Sequence, residues 1–296
     1  MSNLMQWFCL LAVISSVSQS AHCWNPFGKK KKEKSKVNQI ATTRKKIAIT
    51  NMERGDGFGA HVQQIIGAAI YAELNHLDFF YRPFTTMEHN YGGSPTDPDF
   101  LAKREKLINM IGNFPTIDLA LANGYELKTD HYAAFLDTNI RQFPKCSNLK
   151  KIKEAFRANK TIPHYFDVNR LNIAVHIRRP NPDDNRVYGT DIPNNVYIDI
   201  IKKLRKIYAA QNPLFHIFSQ GESCRFEEFS SPDTILHINE AAEQTYTALV
   251  LADVLVTGRS SFSYTAGYLS DGIVYYVSYM HAPFEHWISV DVLLSE

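Results

Sequence analysis

The sequence predicts an α/β protein whose C-terminal half is a doubly wound parallel sheet. Three observations predict this. From residue 171 onward strand-like and helix-like segments alternate regularly, as they do when helices cover both faces of a parallel sheet. Residues 47 to 84 read as a strand, a glycine-rich turn, a helix and a second strand, the repeating unit of such sheets. With 296 residues and 45% hydrophobic content, the chain is long enough for one large domain or two of ordinary size, each with its own core.

Taken in order, the chain opens with an apolar run from Trp7 to Val17 followed by small residues, with Ser18 and Ser20 in a cleavage-site arrangement. This reads as a signal peptide over residues 1–23, with a short signal anchor as the alternative, and it implies the secretory pathway (ER or Golgi lumen) or secretion. The run is shorter than the roughly 20 apolar residues of a membrane span. Residues 24–46 form a polar, lysine-rich stem. Within it KKKKEKSK, residues 29–36, carries six lysines against one glutamate, a local charge suited to an anionic membrane surface. The net charge of +2 is too small for a nucleic-acid footprint over the whole chain.

An N-terminal α/β domain is expected over 47–168. IAIT, 47 to 50, is a short buried strand. The helix that follows the glycines places Val62, Ile65, Ile66, Ala69 and Ile70 at helical spacing, which predicts one apolar face. A strand is expected from 79 to 84. From 88 to 165 the pattern weakens to turn-rich sequence and one helix at LAKREKLINMI, and no topology follows from it. Asp97-Pro98-Asp99 has the look of a metal-binding D-x-D but reads as a loop.

A C-terminal Rossmann-like domain is expected over 169–296, with strands NIAVHI, LFHIFS, TILHI, DVLVTG and IVYYV separated by helices. In the first long helix Val196, Ile200, Leu204 and Ile207 make a stripe that packs on the sheet. Cys146 and Cys224 are a candidate disulfide if the leader is cleaved after Cys23, although spacing alone does not place them within bonding distance. No Cys/His spacing resembles a zinc site. The sequon Asn159-Lys160-Thr161 is compatible with a secretory route.

Ligands of open α/β sheets bind beyond the carboxyl ends of the strands, and three motifs lie there. ERGDGFGA, 53 to 60, puts Gly57 and Gly59 in a tight turn before a helix whose free N–H groups suit an anion, and Asp56 inside it is a candidate proton acceptor. NIAVHIRR ends a strand with His176 and Arg178 on one side and Arg179 on the other; Asp183 and Asp184 beyond it are either structural partners or catalytic carboxylates. TGRSSFS, 257 to 263, brings Arg259 beside Ser260, Ser261 and Ser263 at a helix start, where capping alone needs one serine.

HIRR, the FSQGE segment at 218–222 and ADVLVTGRSSFSYTAGYLS together resemble the ordered motifs of the fucosyltransferase superfamily, which includes alpha-1,2, alpha-1,6 and protein O-fucosyltransferases. GDGFGAHVQQIIGAAIYAEL resembles its N-terminal glycine loop and helix. The resemblance covers both ends of the domain pair, with the middle unmatched. It implies a GT-B-like architecture, two Rossmann-like domains facing a cleft with the acceptor on the N-terminal side, and inverting transfer of fucose from GDP-fucose to a glycan or glycoprotein without an obligatory metal or other cofactor. It also implies that Arg178 binds the donor pyrophosphate, that His176, Arg259, Ser260, Ser261 and Phe262 contact the donor with Gly57 and Gly59, and that Asp56 deprotonates the acceptor. A different nucleotide sugar, or a homologue that binds without chemistry, are the alternatives. The chain departs from the family form HxRRGD at Pro180-Asn181-Pro182, so its loop after Arg179 differs.

Overall fold

A computed structural model describes residues 45–179 and 191–295. The leader, most of the 24–46 stem with its 29–36 lysine cluster, and Asp183 and Asp184 lie outside the described residues. No helix of the described residues is long and apolar enough to cross a membrane.

The first half is built on β1 (Ile47–Thr50), α1 (Phe58–Leu74) and β2 (Asp78–Phe80), followed by α2 (Pro98–Ile108), α3 (Ile117–Ala122), β3 (Glu126–Lys128), α4 (Ala133–Asn139) and α5 (Ser147–Arg157). Its sheet is parallel throughout, in the order β2-β1-β3. β2 is shorter than the strand expected to residue 84. Tyr81 leaves it to bridge Thr116, and Pro83 has no N–H to offer a ladder. Asp97-Pro98-Asp99 is a helix start rather than a loop: Asp97 Oδ1 accepts from Asp99 N at 2.8 Å and Phe100 N at 3.1 Å, and Pro98 occupies the first turn.

The second half comprises β4 (Leu171–His176), α6 (Asn194–Ile207), β5 (Pro213–Ser219), β6 (Thr234–Ile238), α7 (Ala242–Leu251), β7 (Val254–Val256), α8 (Ser261–Leu269), β8 (Ile273–Tyr276), β9 (Ile288–Ser289) and α9 (Val290–Ser295). All neighbours pair in parallel in the order β6-β5-β4-β7-β8-β9. Counted from β4, this is the 3-2-1-4-5-6 order of a doubly wound sheet, with its switch point between β4 and β7. The two-residue β9 at the edge extends the five strands expected. On α6 the buried face is Tyr197, Ile200, Ile201 and Leu204, while Ile207 is exposed, so the packing stripe is rotated from the one anticipated.

α1 was expected to bury one face, yet it is buried on nearly every side, His61, Gln63 and Gln64 included. It lies between its own sheet and α8, and a single apolar cluster runs from Ile65, Ile66 and Phe156 to Tyr246, Leu255 and Tyr268. Burial on so many sides, polar residues included, makes α1 a core helix shared by both sheets. The candidate Cys146–Cys224 disulfide does not form: both thiols are free, Cys146 buried in that cluster and Cys224 exposed in the segment after β5.

Candidate functional site

The switch point places two strand exits side by side. Gly258, just after β7, has no side chain because a Cβ there would stand 2.7 Å from the His176 carbonyl and 3.3 Å from Arg178 N. Opposite them is the turn after β1, where Gly59 allows equally close approach. A Cβ on it would lie 2.4 Å from Phe262 N at the start of α8. The amino ends of α1 and α8 therefore converge. Neither has an acidic residue in its first turn, and Gly57 gives α1 no side-chain cap. Both partial positive ends face the same point, a setting that favours an anion.

Around this point is a cavity of about 980 Å³. Asp56, Gly57, Gly59, His176, Arg178, Arg259, Ser260, Ser261 and Phe262 all line it. Its lining also includes residues that the sequence did not single out, among them Arg54, Gln63, Arg104, Glu240, Met280 and His281. These come from helix interiors and from loops whose positions are set by distant packing, so no local pattern announces them.

The serines divide their work. Ser260 caps α8, its Oγ accepting from Phe262 N at 3.2 Å. Ser263 is buried and accepts from Gly258 N at 3.0 Å, fixing the turn. The Ser261 hydroxyl makes no hydrogen bond among the described residues, and it is the one left for a ligand.

The arginine pair is also divided. Arg179 is 3% exposed, and its guanidinium is held by Asp191 Oδ1 at 2.9 Å, the Ile192 carbonyl at 3.0 Å and the side chain of Asn194. Asp191, further along the chain than the acids considered from sequence, is its ionic partner. Arg178 is half-buried on the cavity wall, with Nη1 donating to the Arg179 carbonyl at 2.6 Å. Arg259 turns its Nε to the Ser278 carbonyl at 3.2 Å. Arg104 is ion-paired with Glu243 at 2.6 Å.

His176 is buried, and its Nδ1 has no hydrogen-bond partner among the described residues. Burial, reinforced by the charge of Arg178, lowers its pKa to about 3, so the ring is neutral at physiological pH. A buried polar atom without a partner is costly, and a ligand group donating or accepting there would relieve that cost. Asp56 has both oxygens occupied: Oδ1 accepts from Gly57 N at 2.8 Å, and Oδ2 pairs with Arg54 Nη2 at 3.3 Å. Its ligand atoms also cluster within 4.8 Å of those of Glu88 and His89. Of the FSQGE segment, Ser219 Oγ donates to the Ile177 carbonyl at 2.8 Å and Gln220 Nε2 to the Arg179 carbonyl at 3.1 Å, so both brace the strand exit.

No protein-family profile and no curated protein matches the chain. Among solved structures, NodZ alpha-1,6-fucosyltransferase soaked with GDP-fucose matches with 14% identity over 76% of this chain and 93% of its own, at a TM-score of 0.38. Fucosyltransferase NodZ from Bradyrhizobium matches with 13% identity over 76% of this chain and 94% of its own, at 0.39. A variant of Arabidopsis thaliana FUT1 in complex with GDP matches with 12% identity over 83% of this chain and 73% of its own, at 0.43.

Proposed function

We propose that the protein is an inverting glycosyltransferase that binds GDP-fucose at the switch point of its C-terminal sheet and transfers fucose to a hydroxyl of a glycan or glycoprotein. The observation that carries this reading is the convergence of two helix amino termini with Arg178, Arg259 and the unengaged Ser261 hydroxyl on one cavity. That set matches a pyrophosphate in charge and in donor number. The same residues carry the resemblance to the fucosyltransferase superfamily, and this narrows the donor from any nucleoside diphosphate sugar to GDP-fucose.

The chemistry follows from the charges. As the bond from the anomeric carbon to phosphate breaks, negative charge grows on the leaving diphosphate. Arg178 and the helix N–H groups are fixed in place before that charge appears, so they stabilise the transition state more than the bound donor. A guanidinium grips two oxygens at once, which lysine does not. Arg178, Arg259 and the helix N–H groups are the donors that meet that charge in this reading, which requires no metal. A secretory location, through the leader and the lysine-rich stem, belongs to the same proposal.

The test is thermal unfolding of the full chain with GDP, GDP-fucose and UDP-sugars, beside Arg178→Ala. A ligand at 100 times its dissociation constant stabilises by about 2.7 kcal/mol. Stabilisation by the GDP compounds that is lost in Arg178→Ala is the expected result. A well-folded sample that no guanine nucleotide shifts would sink the reading.

A further inference from the structure

The cavity wall includes an imidazole that is paired with a carboxylate behind it. His281, in the segment after β8, is part of its wall. The ring Nδ1 lies 3.1 Å from Asp137 Oδ2 and 3.2 Å from Oδ1. Asp137 sits on α4 in the other half of the molecule, and its Oδ1 also accepts from Ala282 N at 3.1 Å. An ionised carboxylate can only accept, so Nδ1 carries the proton and the neutral ring presents Nε2 as an acceptor. Nε2 makes no hydrogen bond among the described residues.

The ring is positioned, not merely present. Its side chain is 10% exposed, the Tyr264 ring of α8 lies 5.6 Å away, and the main chain at and just after it is tied by Tyr276 Oη donating to the His281 carbonyl at 2.5 Å and Tyr264 Oη to the Ala282 carbonyl at 2.6 Å. The titratable groups facing it are Asp137 from α4, Tyr264 from α8 and Tyr276 from β8. Burial raises both tyrosines, so Asp137 is the one charged neighbour of these three. The Ala282 N–H bond already fastens the loop to α4, and the two tyrosine hydroxyls tie it to α8 and β8; the imidazole adds a directed proton acceptor. By contrast, a hydroxyl approaching Asp56 has to compete with Gly57 N and Arg54. Beside His281, Met280 is 70% exposed and Tyr91 across the rim is 46% exposed, apolar surface of the kind on which a sugar face rests.

We propose that the Asp137–His281 pair is the general base for the acceptor. Nε2 takes the hydroxyl proton while the acceptor oxygen forms its bond to the anomeric carbon. On the opposite face the bond from that carbon to the phosphate oxygen breaks, and the electron pair leaves on the nucleoside diphosphate. Asp137 holds the tautomer and stabilises the imidazolium that results. This assignment rests on the glycosyl-transfer reading.

The experiment uses the full chain and measures release of GDP from GDP-fucose with water as the acceptor, across pH, together with GDP affinity by calorimetry. Wild type is expected to bind GDP and release it with a rate that falls on the acid side. His281→Gln and Asp137→Asn are expected to keep the GDP affinity, to slow release on the order of 10²-fold or more, and to lose that acid limb. Added imidazole is expected to restore part of the rate in His281→Ala, which a structural role would not allow. A His281→Gln protein with an unchanged rate and profile overturns the proposal, as does a failure of imidazole rescue. A wild-type profile without an acid limb overturns it even if the variants unfold, and so does wild type that binds GDP yet releases none from GDP-fucose. Failure of wild type to bind GDP at all removes the glycosyl-transfer reading instead, and the pair's role with it.

Discussion

At the scale of single residues, adjacent side chains of the same type have opposite fates. Arg178 and Arg179 are neighbours just past the end of β4, yet Arg178 is half-buried on the cavity wall while the Arg179 guanidinium is buried and held by Asp191 and Asn194. Buried histidines show a second consequence of position. Burial, with a smaller contribution from Arg178, lowers His176 to about 3, and burial, then His237 and Arg170, lowers His216 to about 3. In the unfolded chain each titrates near the ordinary value of about 6.5. Below that pH the unfolded state binds more protons than the native one, so stability falls as pH drops from about 6.5 toward about 3 and is flat with respect to these groups above it. Each histidine contributes a slope of about 1.4 kcal/mol per pH unit within that window. Urea denaturation from pH 7 to pH 4 measures it, and His216→Gln, which lies outside the cavity, is expected to make the fall shallower by one proton. An equal slope in that variant would show that His216 is not neutral in the native state.

At the scale of elements, the site depends on how closely two helices approach. Gly59 sits in the first turn of α1, and the atoms a Cβ would meet are main-chain atoms of Ser261 and Phe262, which do not yield as a flexible side chain does. Gly59→Ala is expected to cost about 1–3 kcal/mol by forcing α1 from α8. It should weaken GDP binding in the same step, because the converging amino ends then separate. Chemical denaturation and calorimetry check the two effects, and a variant of unchanged stability would mean that the helices have room to shift. The sequence made the glycine turn and both helices legible, since their periodicity and caps are local. It did not make legible α3, β3 and α4 in the middle of the chain. β3 is three residues with charges at both ends, Glu126 and Lys128, and is a strand only because β1 offers it an edge.

At the scale of the molecule, the apolar cluster joins the two sheets through α1, α5, α7 and α8. Separating the halves would expose Ile65, Ile66 and Tyr246 together, each fully buried. At roughly 1.5–3 kcal/mol per large side chain, that exposure disfavours either half alone. Residues 45–295 are therefore expected to unfold in one calorimetric transition, with equal calorimetric and van't Hoff enthalpies. Two resolved transitions would show that the halves melt as separate domains.

What the sequence by itself determined is the doubly wound parallel sheet and a set of residues beyond its strand ends that come to line one cavity. Strand and helix periods are written in neighbouring residues, and Asp56, His176, Arg178 and Ser260 to Phe262 each end a recognisable local element. What only the tertiary structure decided is which of those groups keep a free hand. Asp191 claims Arg179, Arg54 occupies Asp56, and Asp137 meets His281 from 144 residues away. The Asp137–His281 pairing closes a long loop at a cost in chain entropy that no short stretch of sequence records, and it forms only once the shared core has brought the two halves together.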